Sequence, residues 1–343
     1  MNVGILGTGA IAQKHAQAYK NIGYRVTACT NATAERGRKF AEKIGAEFVS
    51  TPEQLCSRPE IDFIDVCTFP GYRLQAVELC ALNQKHVLVQ KPMAVDLETA
   101  GRMIEVARVA RIQLGVVSQH RFDDSILFLK RAVSDGRLGR ILQADAYVKW
   151  YRSPEYYARP VKGSWAVEGG GALIGQAIHQ VDLLLHLAGA VEEAVGYWQL
   201  GGRHAIESED NLCALLHYAS GATGVIQAAT SLWPGYPERI EIHGTKGTAM
   251  ITGDQLATWD VQGDAEGGVP LAQKAASGAS DPMAISLVPF ERQFLDFGEA
   301  CSQDREPVCS GRDGYRALQL VCGIYTSCRE GRKIDLVHTA VAS

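Results

Sequence analysis

Lys91 closes an apolar run, His86-Val87-Leu88-Val89-Gln90, and is followed at once by Pro92. Far upstream, Gly7-Thr8-Gly9-Ala10-Ile11-Ala12 fits the glycine fingerprint G-x-G-x-x-G/A. A parallel strand ending in lysine downstream of such a loop aims an ammonium at the crevice where a dinucleotide lies. A third group stands much later, where Gly169-Gly170-Gly171 leads into a helical stretch with His179, Asp182 and His186. Spacings of three and seven keep these side chains near one helix face. Together the groups suit hydride transfer. An imidazole with a pKa near neutrality takes a hydroxyl proton as hydride leaves carbon, and an ammonium stabilises the developing alkoxide. Other readings stay open at this level: Lys91 as a strand-end lysine reaching solvent, Pro92 as the holder of a turn with a cis bond, His179 as a hydrogen-bonded core histidine, and the triplet as a metal site.

The loop residues have separate tasks. Gly7 makes the tight turn, Gly9 lets pyrophosphate approach, and Ala12 permits close packing of helix on sheet, while Thr8, Ala10 and Ile11 offer backbone N–H groups at a positive helix end. An acidic residue for a ribose hydroxyl, or an arginine for a 2′-phosphate, is expected about 20 residues on. Asn31 stands there instead. It can bond a hydroxyl and does not repel a phosphate, with Arg36 and Arg38 on the next helix, so NAD is expected and NADP remains compatible. The turn holding Thr68 and Pro70, together with Gln90 and Lys91, would complete the ribose and nicotinamide side.

These residues need a scaffold. Apolar runs at 3–6, 25–29, 63–67, 87–90 and 113–117 alternate with amphipathic stretches at 11–21, 34–44, 74–82 and 97–109, which predicts a parallel, doubly wound α/β sheet over residues 1–120. From 121 to 343 the pattern predicts an α+β domain. Strand-like runs at 141–151, 194–200, 212–218, 224–230, 239–243, 248–252 and 255–261 are joined by turns short enough for antiparallel pairing. Helical stretches fall at 125–134, 174–187, 290–302 and 314–329, and residues 262–280 read as an exposed loop.

A chain of 343 residues with 46% hydrophobic content favours two domains. Net charge is −4 without a long basic run, so nucleic acid is not an expected partner. The nine cysteines are scattered and never spaced Cys-x-x-Cys, which speaks against zinc knuckles and disulfide frameworks and reads as buried thiols in a reducing compartment. No apolar run spans a bilayer and no leader precedes the first strand, so a cytoplasmic protein is expected.

These pieces in this order resemble the Gfo/Idh/MocA family, relatives of glucose-fructose oxidoreductase and inositol dehydrogenase. The likeness covers the glycine loop, Lys91-Pro92 of an E-K-P element, Gln119-His120-Arg121-Phe122, Gly136-Arg137-Leu138-Gly139, His179 and Asp182 of a G-x-H-x-x-D helix, and Gly244-Thr245-Lys246-Gly247. The resemblance implies a large, mostly antiparallel open-faced sheet in the second domain, through which copies pair as homodimers or homotetramers. It also implies that Lys91 and His179 flank the substrate carbon, the histidine as acid/base. The expected activity is hydride transfer between NAD(P) and a ring hydroxyl or keto group of a pyranoside, glycoside or cyclitol. Transient oxidation by tightly held NAD during glycoside cleavage, or nucleotide sensing without turnover, are the alternatives. The tract from Trp150 through Tyr151, Arg152, Tyr156 and Tyr157 to Trp165 looks like members acting on pyranosides and sugar nucleotides, so Arg121, Tyr151, Arg152, Tyr156, Tyr157, Trp165 and Asp182 are the expected sugar contacts. Three positions depart from the pattern: Gln90 for the usual Glu, Gly175 for Asp or Asn, and Leu74 for His.

Overall fold

The computed structural model describes residues 1–159, 161–264 and 286–336. Most of the loop expected at 262–280 lies outside them. In chain order the first elements are β1 (Asn2–Leu6), α1 (Ala10–Asn21), β2 (Arg25–Thr30), α2 (Ala34–Ile44), β3 (Glu47–Phe48), α3 (Pro52–Cys56), β4 (Phe63–Val66), α4 (Arg73–Leu82), β5 (His86–Val89), α5 (Leu97–Ala110) and β6 (Leu114–Val116). Their strands form a six-stranded sheet in the order β3-β2-β1-β4-β5-β6, with every pairing parallel. The order reverses between β1 and β4, and there the carboxyl ends of the strands leave a crevice for a ligand. Strands such as β4 and β5 are buried on both faces because helices cover a parallel sheet from both sides.

Next come α6 (Asp124–Ser134), β7 (Ile141–Lys149), α7 (Pro154–Tyr157), α8 (Trp165–Glu168), α9 (Ile178–Ala188), β8 (Val191–Leu200), β9 (Glu209–Tyr218), β10 (Thr223–Ala229), β11 (Arg239–Gly244), β12 (Gly247–Thr252) and β13 (Gln255–Val261), and after the undescribed stretch α10 (Val288–Gln303), α11 (Gly311–Glu330) and β14 (Ile334–Asp335). The second sheet runs β13-β12-β11-β7-β10-β9-β8-β14. Burial alternates along its strands. Ala144, Ala146, Val148, Leu212, Ala214, Ile226, Ile240 and Ile242 face the core, while Cys213, Leu215 and Tyr197 are exposed on the other side. One pairing departs from the antiparallel expectation: β10 runs parallel to β7. The two strands are far apart in sequence, with α9 and two other strands between them, and such a long crossover allows parallel pairing.

The chain divides into two units, Met1–Gln119 with Leu287–Tyr315, and His120–Ser286 with the residues from Arg316 onward. The segment Leu287–Tyr315, which the sequence assigns to the second domain, therefore belongs with the first. The physical reason is aromatic. Phe290, Phe294 and Phe297 lie on one face of α10 and are fully buried, with Phe294 stacked on Tyr19 at 4.4 Å and Phe297 edge-on to Phe63 at 5.2 Å. The cysteines also need correction: Cys29, Cys56, Cys80 and Cys309 are buried, but Cys213 is exposed. Among the described residues no helix is long and apolar enough to cross a membrane.

Candidate active site

In the first unit, Gly7 turns the chain after β1 with φ +94°, and its N–H donates to the Thr30 carbonyl. A Cβ at Gly7 would meet the Cys67 carbonyl carbon at 3.0 Å, so no larger residue fits. Gly9 caps α1 in an extended conformation with no side-chain cap, and the first turn of α1 holds no acidic residue. A Cβ at Gly9 would meet nothing within 4 Å. The positive helix end thus opens on free space with no side-chain acceptor or anion of its own, which is what a pyrophosphate requires. Asn31 braces this loop: its Oδ1 accepts from the Thr8 N–H (3.2 Å) and its Nδ2 donates to the Thr33 carbonyl (3.0 Å). Arg36 is exposed, and Arg38 lies over the Phe48 ring at 4.9 Å.

Two buried groups organise the other side of the crevice. Arg73 donates to the Thr68 carbonyl through Nε and Nη2 (3.0 and 2.6 Å) and to the Gln90 and Pro92 carbonyls through Nη1, so one guanidinium ties the ends of β4 and β5. Burial lowers its pKa to about 9, offset in part by Cys67 and Asp65, and it stays charged at neutral pH. Gln90 is buried beside it. The Gln90 Oε1 accepts from the Lys91 N–H (3.0 Å), and its Nε2 lies 2.9 Å from His15 Nε2. His15 Nδ1 is 2.7 Å from Asp65 Oδ2, which also accepts from the Tyr19 hydroxyl (3.0 Å), while the Cys67 thiol donates to Oδ1 (3.5 Å). His15, Asp65 and Cys67 are close enough to share a metal ion. Burial beside Asp65 pushes the Cys67 thiol well above its usual range. The Lys91-Pro92 bond is cis.

In the second unit the glycine turn before α9 is locked by a buried carboxylate. Glu209 accepts from the Gly171 and Leu173 N–H groups (2.9 and 2.8 Å) and from the Tyr325 hydroxyl (2.8 Å), and desolvation pushes its carboxyl up to about 7. A Cβ on Gly171 would sit 1.8 Å from the Glu209 carbonyl oxygen. The chain then makes a π turn, Leu173–Ala177, before α9, a widening that recurs at functional sites. Half-buried His179 follows, its ring edge-to-face with His120 at 4.9 Å, and His120 Nδ1 is 2.7 Å from Asp123 Oδ2. Gln176, also half-buried, accepts from Arg152 Nη2 (3.0 Å) and donates to the Tyr156 hydroxyl (3.0 Å). His204 is 4% exposed, with Nδ1 3.0 Å from Asp210 Oδ2 and Nε2 2.8 Å from the Arg152 carbonyl.

Comparison with known proteins decides what this arrangement belongs to. The oxidoreductase family model with an NAD-binding Rossmann fold, Gfo/Idh/MocA, matches residues 1–118, and the C-terminal domain model of the same family matches residues 126–250. The chain belongs to the Gfo/Idh/MocA oxidoreductases. It is 28% identical to the myo-inositol 2-dehydrogenase of Thermotoga maritima, over 98% of both chains. It is likewise 28% identical to the D-apiose dehydrogenase of Paraburkholderia graminis, over 97% of this chain and 88% of that one. The crystal structure of the WlbA dehydrogenase of Bordetella pertussis in complex with NADH and UDP-GlcNAcA superposes with a TM-score of 0.87 at 28% identity, over 97% and 98% of the two chains.

Within this Gfo/Idh/MocA protein the expected cofactor residues fall at the carboxyl edge of the first sheet: Gly7 to Ile11, Thr68, Pro70, Gln90 and Lys91 follow β1, β4 and β5. Several expected sugar contacts are already engaged with protein. Arg121 and Asp182 form a buried two-bond pair (2.8 and 2.5 Å), each 5% exposed, so Asp182 ties α9 to Arg121. Arg152 is 3% exposed, stacked over Trp150 at 4.7 Å. The Tyr157 hydroxyl bonds Thr230 (2.7 Å), and Trp165 packs with Trp198, Tyr325 and Arg329. Tyr151 stands edge-on to exposed Trp233 at 5.1 Å. The sequence reading missed His15, Arg73, His120 as the ring beside His179, Gln176 and Glu209. Only His120 and Gln176 had a local signal, since both sit inside motifs already singled out.

Proposed function

We propose that this oxidoreductase transfers a hydride between NAD and a ring hydroxyl or keto group of a pyranoside, glycoside or cyclitol. The observation that carries the reading is the polar face beginning at His179: a half-buried imidazole against His120, then Gln176, Arg152 and Tyr156 linked by hydrogen bonds. Such a mix of amide, hydroxyl and aromatic surface suits a sugar's alternating hydroxyl and C–H groups. The names of the inositol and apiose dehydrogenases, and the sugar nucleotide bound by WlbA, support the same class.

NAD, when bound, supplies the hydride acceptor. The backbone N–H groups from Gly9 to Ile11 would hold its pyrophosphate, on a loop that the Thr8–Asn31 bond braces, with Asn31 toward its adenosine ribose and Thr68, Pro70, Gln90 and Lys91 on its nicotinamide side. In this reading His179 takes the proton from the substrate hydroxyl oxygen, and the Lys91 ammonium stabilises the negative charge that oxygen gains. Copies pair through the outer face of the second sheet, where Tyr197 and Leu215 are 75% and 60% exposed.

A panel of sugars, glycosides and cyclitols, scored for NADH and NADPH formation by absorbance, tests the substrate class and the cofactor together. Product formed without accumulating NADH would instead indicate transient oxidation. Lys91→Ala and His179→Ala are each expected to lower kcat by about 10²–10⁴-fold, with NADH affinity in His179→Ala changed less than about threefold. Wild-type kcat in either variant would remove that residue's role. Leu215→Glu is expected to reduce the oligomer's mass in light scattering, and an unchanged mass would discard the pairing face.

A further inference from the structure

Gln90 stands where the family pattern has an acid, and the structure gives it a specific partner. We infer that Gln90 and His15 form a matched positioning pair, in which a neutral His15 held by Asp65 fixes the Gln90 carboxamide and thereby the backbone of Lys91. The proton arrangement follows from partners that each have one possible role. The Lys91 N–H only donates, so Gln90 presents Oε1 to it (3.0 Å) and turns its NH₂ toward His15 Nε2 (2.9 Å). Nε2 must then accept, which requires a lone pair. On the other edge of the ring, the Asp65 carboxylate accepts hydrogen bonds from the Tyr19 hydroxyl and the Cys67 thiol, and it accepts from the Nδ1–H of His15 at 2.7 Å. One protonation state satisfies all of these contacts: imidazole with its proton on Nδ1.

The surroundings hold this state in place. His15 and Asp65 have no exposed surface. Among the described residues, Asp65 and Cys67 from the end of β4 and Tyr19 from α1 itself face the ring, and α10 contributes the rings of Phe290 and Phe294, at 5.3 and 4.9 Å. Arg73 acts on Asp65 and Cys67 and donates to the Thr68, Gln90 and Pro92 carbonyls. A glutamate at position 90 would still accept from Lys91, but its second oxygen would face the Nε2 lone pair. Two acceptors across that gap repel unless Nε2 gains a proton, leaving an imidazolium between two buried carboxylates. Glutamine is therefore the residue that keeps the ring neutral. Lys91 thus has a positioning partner where the sequence suggests a missing neighbour. His15 and Gln90 are positioning residues, and their bearing on turnover rests on the reading of Lys91 as catalytic.

The test needs no substrate, so it stays separate from the fate of that reading. Nitrogen NMR of histidine-labelled protein at neutral pH, with His15 assigned through its ring contacts to Phe294, should show a protonated Nδ1 and an unprotonated Nε2. In Gln90→Glu both nitrogens should become protonated. In Gln90→Leu the Lys91 N–H loses its acceptor, and its hydrogen exchange should speed up about tenfold. A proton on Nε2 in the wild type, a neutral ring in Gln90→Glu, or unchanged Lys91 exchange in Gln90→Leu would each overturn the pairing. If Gln90→Glu does not fold, the wild-type tautomer and the leucine variant decide alone.

Discussion

His15 in the first unit and His204 in the second are both buried, and each bonds an aspartate through Nδ1. Their other ring nitrogens face opposite partners. His15 Nε2 meets an amide N–H of Gln90, whereas His204 Nε2 meets the carbonyl of Arg152. A carbonyl only accepts, so we infer that His204 donates from both nitrogens as an imidazolium, in contrast to a neutral His15. Asp210 matches that charge by accepting also from the Gly202, Arg203 and His204 N–H groups. Two His-Asp pairs of nearly equal geometry thus differ by one charge, decided by the atom on the far side of the ring. The neutral pair sets the Lys91 turn, and the charged pair ties the loop at 202–204 to the Arg152 strand end.

The same substitution in both pairs should separate them. Asp210→Asn removes the carboxylate bonded to buried His204, and its amide N–H cannot accept, so a loss of about 3–5 kcal/mol in urea unfolding is expected for a charged ring. A loss below about 1 kcal/mol would show a neutral His204. A third buried carboxylate sharpens the contrast, because Glu209 faces backbone N–H groups and a phenol, with no cation bonded to it among the described residues. Its carboxyl is raised from 4.5 to about 7. A carboxyl with a raised folded pKa binds more protons folded than unfolded between those values, so its contribution falls as pH rises through that window, by roughly 3 kcal/mol. Glu209→Gln should remove that slope from stability measured between pH 4.5 and 7. A slope that survives would mean that other groups cause it. Asp65→Asn should cost less, about 1–2 kcal/mol, since one carboxamide oxygen can still accept from both His15 and Tyr19. Equal losses for Asp65→Asn and Asp210→Asn would erase the distinction. Smallest is Asn31→Ala, which frees the Thr8 N–H and should weaken NADH binding by about 1 kcal/mol in fluorescence titration.

What the sequence revealed follows from how local each signal is. The glycine loop and Lys91-Pro92 were legible because a strand, its turn and the next helix are contiguous. His179 was legible from the glycine turn before it. His15 and Gln90 lie 75 residues apart, and no spacing rule joins a helix histidine to a strand-end amide. Arg73 lies just before the amphipathic stretch at 74–82 with no local signal, although its guanidinium is buried among carbonyls. Asp182 was placed on the correct helix, but its partner, Arg121, is 61 residues away and was itself expected at the sugar. The parallel β7–β10 pairing and the return of α10 to the first unit are likewise long-range, set by which apolar faces remain to be covered.

The return of α10 also bears on how the protein is made. Phe290, Phe294 and Phe297 cover His15, Tyr19 and Phe63, and the ribosome synthesises them more than 170 residues after the first unit's sheet is complete. At about 5–20 residues per second the nascent sheet waits roughly 10–35 seconds for its lid. During that interval its aromatic floor is open to water, so chaperone capture or aggregation of truncated chains would begin at that face.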